Sequence, residues 1–298
     1  MDDPLRAAVE EGPFRQLDLL GRCARLESDC FLRETLGFFS FMQTSAKNWI
    51  YLAIGAIIVA VLAIRARSGS ECLDSVRVIP IIGDITAMQY AGSSTAPYAD
   101  ADSMLSALQS ADKDPRVKAI VLSVDSNGGD GQAAEEVVQE MDRIHKPKYA
   151  LIRSAGDSAA YWIASAADKI FAFKVSNVGS IGVTGSYLSN SSQSSQDGDQ
   201  FVSLASGPYK DTGNPDKPLT PADRAYLMKG VMGEFDIFVA SVASHRGMTV
   251  EKVKAIADGS SMLGGEALKA GLIDSDGGRD TLWQTVSKDL GISCYSTR

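Results

Sequence analysis

Ser158 is the residue of this sequence best placed to act as a nucleophile. An apolar run over residues 149–152 predicts a short buried strand, and residues 159–167 are rich in helix formers. Ser158 would then lie in the turn between strand and helix, where the N–H groups of the first helical turn lack intrahelical partners and can meet a developing oxyanion. The same place suits a simple N-cap, so this stretch alone leaves both roles open.

Lys210 is the candidate base for such a nucleophile. A serine hydroxyl needs an adjacent base, which can be a histidine or a lysine that is held neutral. The chain has only two histidines, and Lys210 lies in a loop with Gly and Pro on both sides. To act near neutral pH, its pKa must fall from ~10.4 to about 7 or 8, which requires burial among apolar groups. A loop lysine is otherwise solvent-exposed and inert.

The composition is that of a globular protein and excludes some function classes. The 298 residues are 45% hydrophobic and 22% charged, which is enough chain for one large or two small domains. The net charge of -8 comes without a basic stripe, so we expect no nucleic-acid partner. The four cysteines lack the spacing of a zinc site, and with two histidines we expect no metal and no other cofactor.

An uncharged apolar run extends from Trp49 to Ile64, with basic residues on both sides. At ~1.5 Å per residue it is near the lower limit of a membrane-spanning helix, and Trp49 and Tyr51 supply interfacial aromatic rings. We therefore predict a single transmembrane anchor over residues 48–66, after a segment 1–47 to which we assign no role. A buried core helix or a signal sequence are the alternatives, but no polar face interrupts the run and the preceding segment is long.

After a polar linker at residues 67–75, strand and helix patterns alternate over residues 76–298. This alternation predicts an α/β fold with a mostly parallel sheet, in which the loops at the carboxyl ends of the strands carry the site. The predicted strands cover residues 76–85, 117–124, 149–152, 170–173 and 201–204, the predicted helices cover 102–111, 132–145 and 220–245 with others from 249 and 264, and a flexible surface loop is predicted at 189–198.

Five short motifs resemble, in order, those of the signal peptide peptidase A family, the membrane-anchored Ser-Lys peptidases of family S49. Each motif is weak alone, but their order and spacing over about residues 76–282 are specific, and a single predicted anchor precedes them. The motifs are Ser-Asn-Gly-Gly at 126–129, the serine helix at 158–170, Gly-Ser-Ile-Gly-Val at 179–183, Ser-Gly-Pro-Tyr-Lys at 206–210 and Ala-Asp-Gly at 257–259.

The resemblance implies a ClpP/crotonase-like α/β fold in which Ser158 is the nucleophile and Lys210 is the general base. It places the N–H of Gly129 in an oxyanion hole, together with the N–H of Ala159, which agrees with the argument from the helix N-terminus. Ser180 falls where the family has a serine that orients the lysine amine, although its segment also fits a simple turn between strands.

The implied function is that of a membrane-anchored serine endopeptidase that cleaves membrane-derived peptides, such as released signal peptides. By analogy, the catalytic domain lies on the outer face of the cytoplasmic membrane, and the chain forms a homo-oligomer in which Lys and Ser can meet near subunit boundaries. A stomatin-operon-type or phage-type Ser-Lys protease would reuse the same residues. A crotonase-like acyl-CoA enzyme or a non-catalytic scaffold would not need Ser158 and Lys210 as a pair.

Four positions depart from the family pattern. Asn127 stands where the family usually has Pro, and Ala159 and Ala160 stand where it has Gly. These changes keep both glycines of the preceding loop and narrow the space near the helix start, so they favour altered specificity over lost activity. Asp157 places a carboxylate beside the nucleophile, where it would favour the charged form of Lys210. We expect this carboxylate to point outward or to hydrogen-bond locally.

Overall fold

The computed structural model describes residues 51–64, 76–88 and 98–292, and it divides the chain into two units after Ile64. In the first unit, residues 51–64 form a helix with exposed apolar side chains. Of the helices within these described ranges, none combines the length and the apolarity that crossing a bilayer requires. The remainder of the predicted anchor, the segment 1–47 and the linker 67–75 lie outside the described residues.

The second unit alternates strands and helices along the chain. Its strands are β1 (Val76–Ile82), β2 (Asp84–Thr86), β3 (Tyr98–Asp100), β4 (Ala119–Ser126), β5 (Lys148–Asp157), β6 (Lys169–Ala172), β7 (Asn177–Gly179) and β8 (Ser261–Leu263). Its helices are α1 (Ala101–Lys113), α2 (Gly131–Arg143), α3 (Ala159–Ser165), α4 (Ser191–Gln196), α5 (Pro221–His245), α6 (Val250–Lys254), α7 (Gly264–Ala270) and α8 (Gly278–Leu290).

The main sheet has the strand order β1-β4-β5-β7-β8, and β6 also pairs with β5. All of these pairings are parallel except that of β7 with β8, and β2 and β3 form a separate small parallel sheet. Parallel neighbours need long crossover connections, which helices α1, α2 and α3 provide. The predicted α/β fold with a mostly parallel sheet is therefore confirmed.

Strand β4 shows why the sheet is covered on both faces. Its side chains alternate, so that Ile120 and Leu122 join the larger core cluster with helices α1, α2 and α3. Ala119 and Val121 point to the opposite face, where Leu282 of α8 packs against them. A strand that is buried on both faces has a continuous apolar sequence, which is the pattern of this segment.

Three predicted segments differ from the observed elements. The strand predicted over residues 76–85 divides at Gly83, because φ of +80° at this glycine turns the chain out of extended conformation. Residues 201–204 form no strand, since an apolar β-branched run needs a neighbouring ladder and Leu204 is 96% exposed. The loop predicted at 189–198 contains the short exposed helix α4.

Replacing Leu122, which is 1% exposed, tests the importance of the central strand. We expect Leu122→Ala to lower the free energy of unfolding by about 2–5 kcal/mol, because it removes buried methyl groups and leaves a cavity. The matched control is Leu268→Ala, whose side chain is 37% exposed and should cost less than about 1 kcal/mol. Urea unfolding followed by circular dichroism measures both, and equal losses would contradict the assigned core.

Candidate active site

The carboxyl ends of three neighbouring parallel strands bring together most of the predicted site residues. Strand β4 leads to Gly129, β5 leads to Ser158 and Ala159, and β7 leads to Ser180. Because β4, β5 and β7 are adjacent and parallel, these ends lie at the same edge of the sheet. Ser158 shares one cavity with Gly129 and Ala159 and a second cavity with Ser180.

Ser158 has an unusual backbone conformation, with φ of 53° and ψ of -126°. A positive φ is uncommon outside glycine and costs of order 1–3 kcal/mol, so surrounding contacts must hold it. The N–H of Ser158 donates to the carbonyl of Gly179 at 2.8 Å, and its carbonyl accepts from the N–H of Trp162 at 2.9 Å. Ser158 occupies the N-cap position of α3, but its side chain makes no capping hydrogen bond. The hydroxyl is therefore free of the structural role that the sequence left open.

Gly128 is packed directly against this turn. A Cβ at Gly128 would lie 2.7 Å from the Cβ of Ser158, and the residue has φ of +109°. Its N–H donates to the hydroxyl of Ser126, which is buried at the end of β4, at 3.1 Å. Any larger residue would clash with the Ser158 turn or change its own conformation, so this loop and the serine turn form one packed unit.

The N–H of Gly129 points away from strand β2. The N–H of Ile85 donates to the carbonyl of Gly128, and the carbonyl of Ile85 accepts from the N–H of Asp130, both at 2.9 Å. Gly129 lies between these two bonded residues, so its own N–H points away from Ile85. Within the described part of the chain, neither this N–H nor that of Ala159 has a protein acceptor. Two such groups beside a serine hydroxyl can stabilise an oxyanion.

Ser180 is held in a second strained turn, with φ of 45°. Its N–H donates to the carbonyl of Ser260 at 3.0 Å, and its hydroxyl donates to the carbonyl of Gly259 at 2.8 Å. These bonds join the motif at 179–183 to the motif at 257–259. Because the Ser180 hydroxyl donates its hydrogen bond to Gly259, its oxygen retains lone pairs that can accept a hydrogen bond from an amine N–H.

Lys210 lies on an exposed turn and lines neither of the two cavities that contain the serine. The turn itself is fixed on both sides of the lysine. Tyr209 stacks on Tyr226 with ring centroids 4.6 Å apart, and the hydroxyl of Thr212 donates to Asp223 Oδ1 at 2.7 Å. The described part of the chain therefore does not provide the burial that a neutral lysine requires.

Asp223 is the anchor of this turn, and the sequence interpretation missed it. Its carboxylate, which is buried, also accepts from Lys217 Nζ at 3.1 Å and from the hydroxyl of Thr220 at 2.7 Å. The N–H of Asp223 donates back to Thr220 Oγ1 at 3.1 Å, which completes a capping box at the start of α5. The hydrogen bonds from Thr212 and Thr220 hold the pKa of this carboxyl far below its ordinary range. The Thr-x-x-Asp spacing was the available signal.

Asp157 is buried beside the nucleophile and does not point outward. Its Oδ1 accepts a hydrogen bond from the hydroxyl of Ser261 on β8 at 2.9 Å, so the carboxylate is bonded to a distant part of the chain and not locally. Burial raises the pKa of the Asp157 carboxyl, and the bond from Ser261 partly opposes this shift.

Helix α5 forms a wall of both cavities. The first cavity, of about 760 Å³, is bounded by Trp162 and Phe238, whose rings stack at 4.8 Å. Trp162 Nε1 also donates to the hydroxyl of Ser241 at 2.8 Å, which ties α3 to α5. The second cavity, of about 440 Å³, is bounded mainly by apolar side chains of the same helix. Those side chains are Met228, Val231, Met232 and Phe235.

The ends of a mostly parallel sheet bring an uncapped serine into one cavity with Gly129 and Ala159, and within the described residues the N–H groups of these two have no protein acceptor. Such groups can support nucleophilic attack on a carbonyl and stabilise the oxyanion that forms. Comparison with family models gives a match to Peptidase family S49 over residues 140–293, which is more than half of the chain. The chain belongs to this family.

Similar proteins carry corresponding names. The chain is 34% identical over 196 residues to the Methanocaldococcus jannaschii protein named "Putative protease MJ0651", covering 65% of this chain and 63% of that protein. It is 32% identical to the Enterococcus faecium "Putative signal peptide peptidase SppA", covering 62% and 55%. It is 31% identical to the Salmonella typhi "Protease 4", covering 63% and 31%. The matched region spans less than two thirds of each relative.

Asp223→Asn tests the anchor of the lysine turn. The pKa of the Asp223 carboxyl is lowered by folding, so its contribution to stability is present above its unfolded value of about 3.9 and is lost as the pH falls below that value. We expect the variant to unfold more easily than wild type at pH 7, and this difference to shrink at pH 3. Urea unfolding at both pH values measures it.

The control for this prediction is Asp216→Asn, which changes an exposed carboxylate in the same loop. This variant should unfold like wild type at both pH values. A stability difference between Asp223→Asn and wild type that stays constant from pH 7 to pH 3 would contradict the role of a charged carboxylate.

Proposed function

We propose that this protein is a serine endopeptidase in which Ser158 is the nucleophile and Lys210 is the general base. The Ser158 hydroxyl oxygen attacks the peptide carbonyl carbon and passes its proton to the lysine amine. The resulting oxyanion accepts hydrogen bonds from the N–H groups of Gly129 and Ala159. Collapse of this intermediate breaks the C–N bond, and the lysine returns the proton to the leaving amine. Water then hydrolyses the acyl-enzyme by the same path.

The observation that carries this proposal is the strained, uncapped Ser158, which shares a cavity with Gly129 and Ala159, whose N–H groups have no protein acceptor among the described residues. A structural serine would use its hydroxyl as a cap, and a relaxed turn would not require the close glycine packing of Gly128. Strain of this kind persists where surrounding structure over-determines it, as at active sites. An acyl-CoA enzyme of the same fold would share the N–H groups but would not need this hydroxyl.

Lys210 is proposed to reach the serine of a neighbouring copy in a homo-oligomer. In one chain the lysine is exposed and outside both serine cavities, yet the stacked Tyr209 and the hydrogen-bonded Thr212 fix its turn. A contact between copies would bury the amine, and burial favours the neutral form that a base needs. Ser180, in the cavity next to Ser158, would accept a hydrogen bond from the arriving amine.

The proposed substrates are hydrophobic peptides such as released signal peptides. The second cavity offers methionine, valine and phenylalanine side chains directly beside Ser158, and these suit an apolar side chain of a peptide. The proposed location is the cytoplasmic membrane, with the catalytic domain on its outer face. This location is supported by the uncharged apolar run at residues 49–64.

Complementation between two inactive variants tests the shared site. We expect Ser158→Ala and Lys210→Ala each to lower kcat/KM for a quenched fluorescent hydrophobic peptide by about a thousandfold or more. When the two variants are co-expressed with different tags and isolated as mixed oligomers, activity should return to about one quarter of the wild-type value. Each site takes its serine from one copy and its lysine from the neighbouring copy. Both residues are intact only where a Lys210→Ala copy supplies the serine and a Ser158→Ala copy supplies the lysine, which is about one site in four.

The control is co-expression of each single variant with the double variant Ser158→Ala/Lys210→Ala, which should stay inactive. Mixed oligomers that form but remain inactive would contradict a site shared between copies. Full activity of Lys210→Ala alone would contradict the assignment of the base.

A further inference from the structure

The first cavity beside Ser158 has an acidic rim. Three carboxylates line it: Asp130 and Glu135 from the start of α2, and Glu234 from α5 across the cavity. The residues that line this cavity in the described part of the chain include no lysine, arginine or histidine. Because Ser158 lines the same cavity, a peptide bound with its scissile bond at this serine can place one of its side chains there.

Part of the wall of this cavity is apolar. The buried, stacked rings of Trp162 and Phe238 form it, and the exposed side chain of Ile237 also lines the cavity. A pocket with an apolar wall and a carboxylate rim suits a side chain with a long hydrocarbon stem and a terminal cation. Lysine and arginine have that form, whereas glutamate would meet like charge at the rim.

Glu234 is the carboxylate of the three that is open to a ligand. Its Oε1 occupies the position next to Gly131, since a Cβ on that glycine would lie only 1.9 Å away. The glycine thus leaves room for the Glu234 carboxylate to turn across the cavity mouth instead of outward. Within the described ranges of the chain, this carboxylate accepts no hydrogen bond and forms no ion pair.

The other two carboxylates are partly used within the protein. Oδ1 of Asp130 caps α2 by accepting from the N–H of Gln132 at 2.8 Å. Oε1 of Glu135 accepts from the side-chain amide of Gln139 at 3.2 Å. Each of these therefore adds negative charge to the rim, while Glu234 offers the direct partner for a cation.

We propose that this cavity is a specificity pocket for a lysine or arginine side chain of the peptide, and that Glu234 selects it. This inference rests on the proposed peptidase function and names its substrate class more closely. The second cavity, in which α5 contributes only apolar side chains, meets the first at Ser158. The preferred cleavage site then carries a basic residue on one side of the scissile bond and an apolar residue on the other.

Matched quenched peptides that differ only beside the scissile bond test this proposal. One series carries Lys, Met or Glu at that position, next to a constant apolar residue. We expect wild type to hydrolyse the Lys peptide with a kcat/KM about tenfold above that of the Glu peptide. Glu234→Gln should lower kcat/KM for the Lys peptide about 3- to 10-fold, as expected for loss of one charge-assisted hydrogen bond near the surface, and should leave the Met peptide unchanged.

Charge reversal and a control on the same helix sharpen the test. Glu234→Lys should invert the preference, so that the Glu peptide becomes the better substrate. Asp236→Asn removes a carboxylate two residues away that pairs with Lys254 and does not line the cavity. It should keep the wild-type order of the three peptides. The preference for the Lys peptide should also weaken at high salt.

Binding without turnover separates this inference from the proposed function. Fluorescence polarisation with the Ser158→Ala variant should show tighter binding of the Lys peptide than of the Glu peptide, and Glu234→Gln in that background should remove the difference. If the three peptides bind and react equally, the pocket assignment is wrong while a peptidase function stands. If hydrolysis fails but the Lys preference in binding holds, the pocket stands and the proposed reaction is wrong.

Two further outcomes would overturn the role of Glu234. An equal loss of activity on the Met and Lys peptides in Glu234→Gln would show that this carboxylate only stabilises the N-terminus of α2. A change in oligomer mass by light scattering, with an unchanged order of peptides, would show that its partner is a cation of a neighbouring copy.

Discussion

The close packing of Gly128 against the Ser158 turn is the contact on which the rest of the site depends. Ser158 has a backbone conformation that a non-glycine residue adopts only at a cost, and the hydrogen bond from its N–H to Gly179 fixes one side of the turn. Gly128 fixes the other side, because its missing Cβ lets the loop approach within contact distance. Gly128, Ser158 and Gly179 lie at the carboxyl ends of three adjacent parallel strands, so the rigid sheet holds Ser158 in its strained conformation.

Helix α5 contacts both the turn that carries the proposed base, Lys210, and the cavities beside the proposed nucleophile, Ser158. Its first two turns hold the Lys210 turn through Asp223 and the Tyr209–Tyr226 stack, and its middle turns line both cavities at Ser158. One rigid element of 25 residues therefore sets where the lysine is presented and which side chains a substrate meets. An oligomer with this helix at its interface would fix the positions of the base, the nucleophile and the residues that select the substrate relative to one another.

The sequence predicted the parts of the fold and site that depend on local patterns. The apolar runs that became β4 and β5 are buried on both faces, and the residues that follow them meet because parallel strand ends share an edge. The sequence could not show that Lys210 is exposed in one chain, since burial of a loop depends on its neighbours in space. It also could not reject a strand at residues 201–204, because a strand requires a partner ladder that no local pattern reveals.

Covalent labelling measures the proposed role of Ser158 most directly. The intact protein is treated with a fluorophosphonate, and the adduct is located by mass spectrometry of its peptides. We expect one adduct per chain on the peptide that contains Ser158, formed faster as the pH rises toward the range in which the lysine base is neutral. An unlabelled Ser158, or an adduct on Ser180 in its place, would contradict the assignment of the strained serine as the nucleophile.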